Sequence, residues 1–312
     1  DGYGFVFRAY HSLPEMIRHD KTPIGAVYGF LKMMLSILEN IKMSHCAVVL
    51  DSGGKTFRND MYQEYKANRP PCPENLIPQF EIIREAIESL NLVTLQKQGF
   101  EADDIIGTLA WQATDMDVYM MTPDKDFGQL VRDDVHIYKP GRMGNPDEIL
   151  GVKEILEKWE IERVDQVIDI LGLWGDAADN IPGVPGVGEK TAKKLIQQYG
   201  TMENILAHTH ELKGKMKEKF EEFTEQAKVS KWLATIDTKV PIHIELESLV
   251  LQPKNVELIT EVFTEREFRT LMRRVLGDGV PSADNTPKDS IKQKAASKPN
   301  PNQPGLFDLF NA

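Results

Sequence analysis

The chain has 312 residues, with 48 acidic and 37 basic side chains and a formal net charge of −11 at pH 7. Its length allows two domains, and a hydrophobic content of 41% is ordinary for a globular protein. The excess of acidic over basic residues argues against a broad basic surface that binds nucleic acid. Carboxylates gathered at a metal site would account for part of this acidic excess. No stretch approaches the roughly 18 apolar residues of a transmembrane helix.

The two cysteines, Cys46 and Cys72, lie in unrelated contexts without the spacing of a metal site, which fits a reducing compartment. We therefore expect a soluble, cytoplasmic protein. The sequence begins at Asp1 with no apolar strand before it, whereas a doubly wound sheet normally leads into such an aspartate with a strand. We interpret the sequence as a fragment that lacks its first strand.

Short β-rich segments alternate with helix-length amphipathic segments, an order typical of βαβ units and a parallel sheet. The predicted strands are residues 46–50, 92–95 and 117–121. The first leads to Asp51, and the third precedes Asp124 and Asp126. Because sites in open α/β sheets lie at the carboxyl ends of the strands, these aspartates are expected at one edge.

Nine carboxylates fall in five short clusters along the chain. Two like charges about 4 Å apart repel by on the order of 4 kcal/mol at an effective dielectric of about 20, so such clustering does not serve stability. Ligands that offer only oxygen favour Mg²⁺ or Mn²⁺ over zinc. The candidate metal ligands are Asp1, Asp51, Glu101, Asp103, Asp104, Asp124, Asp126, Asp176 and Asp179.

Residues 101–114 have the spacing of an amphipathic helix, with Ile105, Ile106 and Leu109 on its apolar face. The acidic first turn has an ordinary explanation, because Asp and Glu favour helix N-termini. Taken alone, that explanation is about as good as metal binding. With further aspartates at the ends of two strands, we favour metal binding.

Basic and aromatic side chains alternate between Lys55 and Arg69. This pattern suits a single strand, whose phosphates need cations and whose bases stack on rings. A solvated amphipathic helix is the alternative, but the segment directly follows Asp51 and we favour contact with a substrate. The candidates are Arg58, Tyr62, Tyr65, Lys66 and Arg69.

Residues 181–191 form a glycine-rich turn that opens a lysine-rich helix. Glycines let a backbone approach a phosphate closely, and helix N-terminal amides bind anions. The spacing favours binding of a duplex without sequence preference, and a plain connection between helices is the alternative. The candidates are Gly183, Gly186, Gly188, Lys190, Thr191, Lys193 and Lys194.

Several of these stretches together resemble the 5′-nuclease domain of bacterial DNA polymerase I, a relative of flap endonucleases and phage 5′-exonucleases. The matching stretches are residues 1–10, 56–70, 101–108, 122–126 and 175–191. The resemblance implies an α/β, PIN-like nuclease domain with a parallel sheet and flanking helices over residues 1–175. A helical, helix-hairpin-helix-like domain that binds duplex DNA would follow over 176–278, and the polar segment 279–312 is predicted to be disordered.

The resemblance implies a 5′-3′ exonuclease or 5′-flap endonuclease of DNA replication and repair that leaves a 5′-phosphate and a 3′-hydroxyl. Two Mg²⁺ or Mn²⁺ ions about 4 Å apart would activate water and stabilise the leaving oxygen. We assign Asp51, Glu101 and Asp103 to one ion, Asp124, Asp126 and Asp176 to the other, and bridging or water-mediated roles to Asp1, Asp104 and Asp179. Lys66 and Arg69 would neutralise charge on the scissile phosphate.

In this family, the segment matching Lys55 to Pro73 forms an arch over the site, and the glycine-rich hairpin grips duplex DNA, often with a monovalent cation such as K⁺. Two alternatives remain: a catalytically impaired module that binds flap DNA, and a nuclease that removes RNA primers. Residues 303–310 resemble the peptide by which bacterial proteins bind the sliding clamp, although a linker is the favoured explanation. We expect a bacterial, nucleoid-associated protein.

Overall fold

The computed structural model describes residues 1–141 and 146–277, and the chain forms two compact units. The first unit contains Asp1–Leu50, Pro71–Gln96 and 242–277, and the second contains Asp51–Pro70 and Lys97–Pro241. The tail predicted to be disordered and its clamp-binding peptide lie outside the described residues. None of the helices in the described ranges combines the length and the apolar character needed to span a bilayer.

Helices dominate the described chain, and the strands between them are short. The elements are, in chain order, α1 (Gly2–Ser12), α2 (Gly25–Asn40), β1 (Ala47–Val49), α3 (Phe57–Met61), α4 (Gln79–Ser89), β2 (Val93–Leu95), α5 (Ala102–Gln112), β3 (Val118–Met121), β4 (Val135–Lys139), β5 (Glu148–Leu150), α6 (Val152–Trp159), α7 (Gln166–Trp174), α8 (Glu189–Tyr199), α9 (Met202–Ala207), α10 (Lys215–Glu222), α11 (Thr224–Ala234), α12 (Val256–Glu265) and α13 (Arg269–Leu276).

The strands confirm the predicted α/β class. Strands β1 and β2 pair in parallel within the first unit, and β3 and β4 pair in parallel within the second. The three predicted strands correspond to β1, β2 and β3, and the helix predicted from residue 101 is α5. Strand β5 runs antiparallel to β4. Its three residues carry too little alternation to be recognised from the sequence.

Helix α2 is the central helix of the first unit, where it packs against α1 and α4. It buries Phe30 and Leu31 completely, as expected of a helix that is apolar around most of its circumference. Gln79 in α4 caps its N-terminus: the side-chain Oε1 accepts hydrogen bonds from the amides of Ala26 at 2.9 Å and Val27 at 3.3 Å. These bonds satisfy two of the amides that a helix leaves without an internal partner.

Helix α7 is the central helix of the second unit, where it packs against α8 and α11. Gly172 brings the backbones of α7 and α11 together, because a Cβ added there would lie 2.9 Å from the Cα of Lys231. The predicted boundary between two domains, at residues 175 and 176, lies inside this second unit. The predicted division into domains stays a prediction.

Replacing Gln79, which is 2% exposed, with Met should lower the free energy of unfolding by about 1–3 kcal/mol, because two buried amides lose their acceptor while the side-chain volume is kept. Urea denaturation measures the change. The matched control is Gln198→Met at an exposed position of α8, where the expected change is below about 0.5 kcal/mol. Equal losses in the two variants would contradict this account of the cap.

Candidate functional site

The N-terminus of α5 gathers three of the predicted acids. Glu101 is the residue at the N-cap, and Asp103 and Asp104 lie in the first turn. Asp51 reaches the same helix end, because its Oδ1 accepts a hydrogen bond from the amide of Ala102 at 2.9 Å. The amide of Glu101 donates to Asp104 at 3.1 Å. Part of the cluster therefore caps the helix, which is the ordinary explanation weighed for its acidic first turn.

Arg58 in α3 forms a buried ion pair with Asp104. Its Nη1 and Nη2 donate to the two carboxylate oxygens at 2.8 and 2.7 Å. The guanidinium also donates to the carbonyls of Leu233 at 3.0 Å and Thr235 at 2.8 Å. Arg58 is 2% exposed and Asp104 is 0% exposed. Burial opposes the charge, but the hydrogen bonds and charge of Asp104 raise the pKa of Arg58 above its usual value.

This pairing bears on two predicted roles. The donors of Arg58 are used inside the protein, and its predicted contact with DNA stays a prediction. Asp104 is fully buried and accepts from Arg58, from the amide of Glu101 and, at 2.9 Å, from the amide of Asp237, and its predicted role beside a metal ion stays a prediction. Both residues hold the second unit together.

Glu101 lies among hydrogen-bond donors. The Lys66 Nζ is 2.7 Å from its Oε1, and the hydroxyl of Tyr65 donates to its Oε2 at 3.0 Å. Burial and the carboxylates of Asp179 and Glu101 raise the pKa of Tyr65 well above its usual value, so the hydroxyl stays protonated. Tyr65 is buried, and its predicted contact with DNA stays a prediction.

Asp179 is held by the segment that contains Lys66 and Arg69. The Lys66 amide donates to the Asp179 carbonyl at 2.9 Å, and the Arg69 guanidinium donates to its carboxylate. The Asn68 side chain adds a hydrogen bond to the carbonyl of Ala177 at 2.7 Å. Burial raises the pKa of Asp179, but the Lys66 and Arg69 cations outweigh that effect and hold the pKa below its usual value.

The surroundings of Asp103, Asp124 and Asp126 raise their pKa values, whereas those of Asp179 lower its pKa. Burial, and then the charge of Asp124, raise the pKa of Asp103 and of Asp126 well above the usual value. Burial also raises the pKa of Asp124. The Oδ1 of Asp126 is buried and has no hydrogen-bond partner among the described residues. The charge of Asp124 repels those of Asp103 and Asp126, and the nearby cations Lys66 and Lys125 offset burial and this repulsion only in part.

Lys125 is a site residue that the sequence analysis missed, although it stands between two of the predicted ligands. Its Nζ lies 3.0 Å from the Oδ2 of Asp176 and 4.5 Å from the centre of a ring of Trp174. Burial lowers the pKa of Lys125, but the charges of Asp176 and Asp126 raise it above the usual value. The alternation of acid and base over residues 124–126 was the available signal.

As the side chains stand, no group of three His, Cys, Asp or Glu within the described ranges is arranged to enclose a metal ion. Asp1 belongs to the first unit, where its Oδ1 caps α1 by accepting from the amide of Gly4 at 3.0 Å. The eight other predicted acids lie in the second unit.

The predicted glycine-rich turn connects α7 to α8. Gly183 has a φ of +59°, and a Cβ there would lie 2.6 Å from the carbonyl oxygen of Trp174. Its amide donates to the hydroxyl of Ser230 at 3.0 Å. This glycine therefore allows close packing against the end of α7, and its predicted contact with phosphate stays a prediction. Gly186 and Gly188 are exposed, and Gly188 is the residue before α8.

The lysines of α8 differ in their surroundings. Lys193 is buried, and its Nζ donates to the carbonyl of Lys158 at 2.9 Å and lies 2.8 Å from Glu189. Its predicted role in binding DNA stays a prediction. Lys190 and Lys194 are exposed. The remaining candidates Tyr62 and Thr191 are half-buried.

Two family models match the chain. One is described as the 5′-3′ exonuclease N-terminal resolvase-like domain and matches residues 1–160, and the other is the 5′-3′ exonuclease C-terminal SAM fold and matches residues 162–257. The chain therefore belongs to the 5′-3′ exonuclease family and is a nuclease domain, a hydrolase in class. This confirms the resemblance on which the sequence analysis relied.

Curated relatives agree with this family. The chain is 42% identical over 286 residues to DNA polymerase I of Rhizobium leguminosarum and 37% identical over 300 residues to DNA polymerase I of Bacillus subtilis. These matches cover 88% and 95% of this chain, but 28% and 34% of the relatives. The chain thus spans about a third of the length of these curated relatives.

Solved structures share the fold at low sequence identity. T5 5′-exonuclease with bound divalent metal ions (zinc) matches with a TM-score of 0.61 and 23% identity, covering 88% of this chain and 96% of that chain. The catalytic core of Rad2 in complex with a DNA substrate matches with a TM-score of 0.56 and 14% identity, covering 86% of this chain and 88% of that chain.

Replacing Asp104 with Asn should lower the free energy of unfolding by about 3–5 kcal/mol, because the buried charge of Arg58 loses its partner. The neighbouring Asp103→Asn is the control. Its carboxylate has a raised pKa, so the expected change in a buffer with chelator is below about 1 kcal/mol. Denaturant unfolding compares the two, and a larger loss for Asp103→Asn would contradict the assignment.

Proposed function

We propose that this chain hydrolyses DNA phosphodiester bonds at 5′ ends and 5′ flaps with divalent cations bound at its carboxylates. The observation that carries the proposal is the buried Oδ1 of Asp126, which has no hydrogen-bond partner among the described residues, beside carboxylates whose charges raise one another's pKa. A bound cation would relieve this repulsion. The divalent ions bound to T5 5′-exonuclease and the DNA bound to the Rad2 core support it.

The available donors fit Mg²⁺ or Mn²⁺, because they are carboxylate oxygens and one of them, the Oδ1 of Asp126, is buried without a partner among the described residues. Asp103, Asp124 and Asp126 would hold the cations, with Asp51 and Asp176 beside them. Bound divalent cations would supply an activated water and stabilise the leaving oxygen. A K⁺ ion at the glycine-rich turn remains part of the proposal.

Glu101 and Asp179 would then act mainly by positioning the charged side chains of Lys66 and Arg69. Lys66 is held by Glu101 and Asp179, and Arg69 is held by Asp179. A substrate phosphate arriving at these side chains would receive charge-assisted hydrogen bonds. In this position Lys66 and Arg69 would neutralise the charge that develops on the phosphate, while buried Tyr65 keeps Glu101 in place.

The duplex beyond the cleavage point would lie on α8. Lys190 and Lys194 are the exposed lysines of this helix among the predicted contacts, and each phosphate contact adds to the salt dependence of binding. The DNA polymerase I relatives support a role in bacterial DNA replication and repair and a location with the nucleoid. RNA primers as a second substrate and the clamp contact through residues 303–310 remain predictions.

The test is cleavage of a 5′-labelled flap duplex with Mg²⁺ and with chelator. Release of the 5′ fragment is expected only with the metal. Asp124→Asn should lower the rate on the order of 100-fold or more, which corresponds to about 2.7 kcal/mol of transition-state stabilisation. The matched control, Asp133→Asn at an exposed position, should cleave at the wild-type rate.

Unchanged turnover in Asp124→Asn would rule out the assigned site. Binding of the flap duplex by the wild type without cleavage in Mg²⁺ would favour the impaired binding module instead. A matched RNA flap in the same assay separates a primer-removing nuclease from one that prefers DNA.

A further inference from the structure

Three aromatic rings meet in the second unit beside the Arg58 ion pair. The ring centres of Phe57 and Phe100 are 5.5 Å apart, and those of Phe57 and Trp232 are also 5.5 Å apart, with the latter two planes at 90°. Phe57 and Phe100 are half-buried, and Trp232 is 39% exposed. Packing of α3 accounts for the buried parts of these rings, but it leaves the exposed part of the Trp232 indole without a role.

Open space flanks this aromatic cluster, defined as Phe57, Phe100 and Trp232. Gly99 lies next to Phe100 in the chain, and its carbonyl accepts a hydrogen bond from the Phe57 amide at 3.2 Å. A Cβ added at Gly99, Gly53 or Gly54 would meet no atom within 4 Å. The space beside these three glycines is therefore open, and the exposed part of Trp232 adds accessible ring surface.

Two lysines adjoin the cluster along the chain, which suits an anion. Lys55 precedes Phe57 by two residues and is exposed, and Lys97 precedes Phe100 by three residues and is half-buried. The guanidinium of Arg58 lies 4.6 Å from the centre of the Phe57 ring, and its Nη1 is 3.5 Å from Glu101. One side chain thus connects the aromatic cluster to the carboxylates of the site.

We propose that the aromatic cluster is a stacking platform for an unpaired base of the single-stranded part of the substrate. The inference rests on the proposed function, since it places the single strand beside the cleavage site. Stacking on an aromatic ring is tolerant of base identity, because every base has a π-face. Trp232 and Phe57 would contact the base, while Lys55 and Lys97 would bind the adjoining phosphates.

Two variants and a control test the platform by fluorescence anisotropy in chelator, which prevents cleavage. The probes are a duplex with a short single-stranded 5′ DNA flap and the same duplex without it. Trp232→Leu should weaken binding of the flapped duplex by about 5- to 150-fold, the range for one stacked base, and leave the plain duplex unchanged. Trp232→Phe keeps a ring and should retain most of the affinity for the flap.

The control is Trp111→Leu. Trp111 is 64% exposed and lies under the guanidinium of Arg132 at 5.2 Å, so it is an exposed tryptophan beside a cation outside the aromatic cluster. This variant should bind both probes as the wild type does. Flap DNA should also quench tryptophan emission in the wild type and in Trp111→Leu, and fail to do so in Trp232→Leu.

Equal binding of the flapped duplex by Trp232→Leu and wild type would overturn the platform, and so would an equal loss for both probes. The proposed function is scored separately by cleavage in Mg²⁺. If the wild type cleaves and Trp232→Leu keeps full flap affinity, the stacking platform is wrong and the proposed nuclease function is supported. If the wild type does not cleave but prefers the flapped duplex in a Trp232-dependent way, the platform is supported and the proposed cleavage is contradicted.

Discussion

The buried guanidinium of Arg58 is the interaction on which the second unit depends most. It joins α3, which carries it, to Asp104 in α5 and to the carbonyls of Leu233 and Thr235 at the end of α11. A buried charge that loses its partner costs several kcal/mol, so these elements are stable only together. Because the same group also reaches Glu101, one arginine positions both the helix and the first acid of the site.

The acids of the site fall into two kinds according to their neighbours. Asp104 and Asp179 are paired with arginine or lysine, and this pairing stabilises the fold. Asp103, Asp124 and Asp126 are half-buried and have raised pKa values, which lowers stability at neutral pH. Proteins keep such arrangements at functional sites. The paired acids stabilise the fold, and the repelling acids are the ones that a divalent cation would bind.

The sequence predicted strands β1 to β3, helix α5 and the family, because apolar periodicity and motif spacing are local. It could not show which side chains turn inward. Arg58 lies in a basic, aromatic segment that suits nucleic acid, and its partner Asp104 stands 46 residues away. Lys193 likewise looks like its exposed neighbour Lys194 in the sequence. One local signal was available: Glu101 and Asp104 have the spacing of a capping box, which marks Asp104 as part of the helix end.

The central claim is that the repelling carboxylates are kept for divalent cations at a cost in stability. Equilibrium unfolding of the wild type and Asp126→Asn, in chelator and in Mg²⁺, tests it most directly. We expect the variant to be the more stable in chelator, and the wild type to gain more from Mg²⁺, by about 2.7 kcal/mol at 100 times its dissociation constant. A variant that is less stable in chelator, or that gains as much from Mg²⁺, would contradict the account.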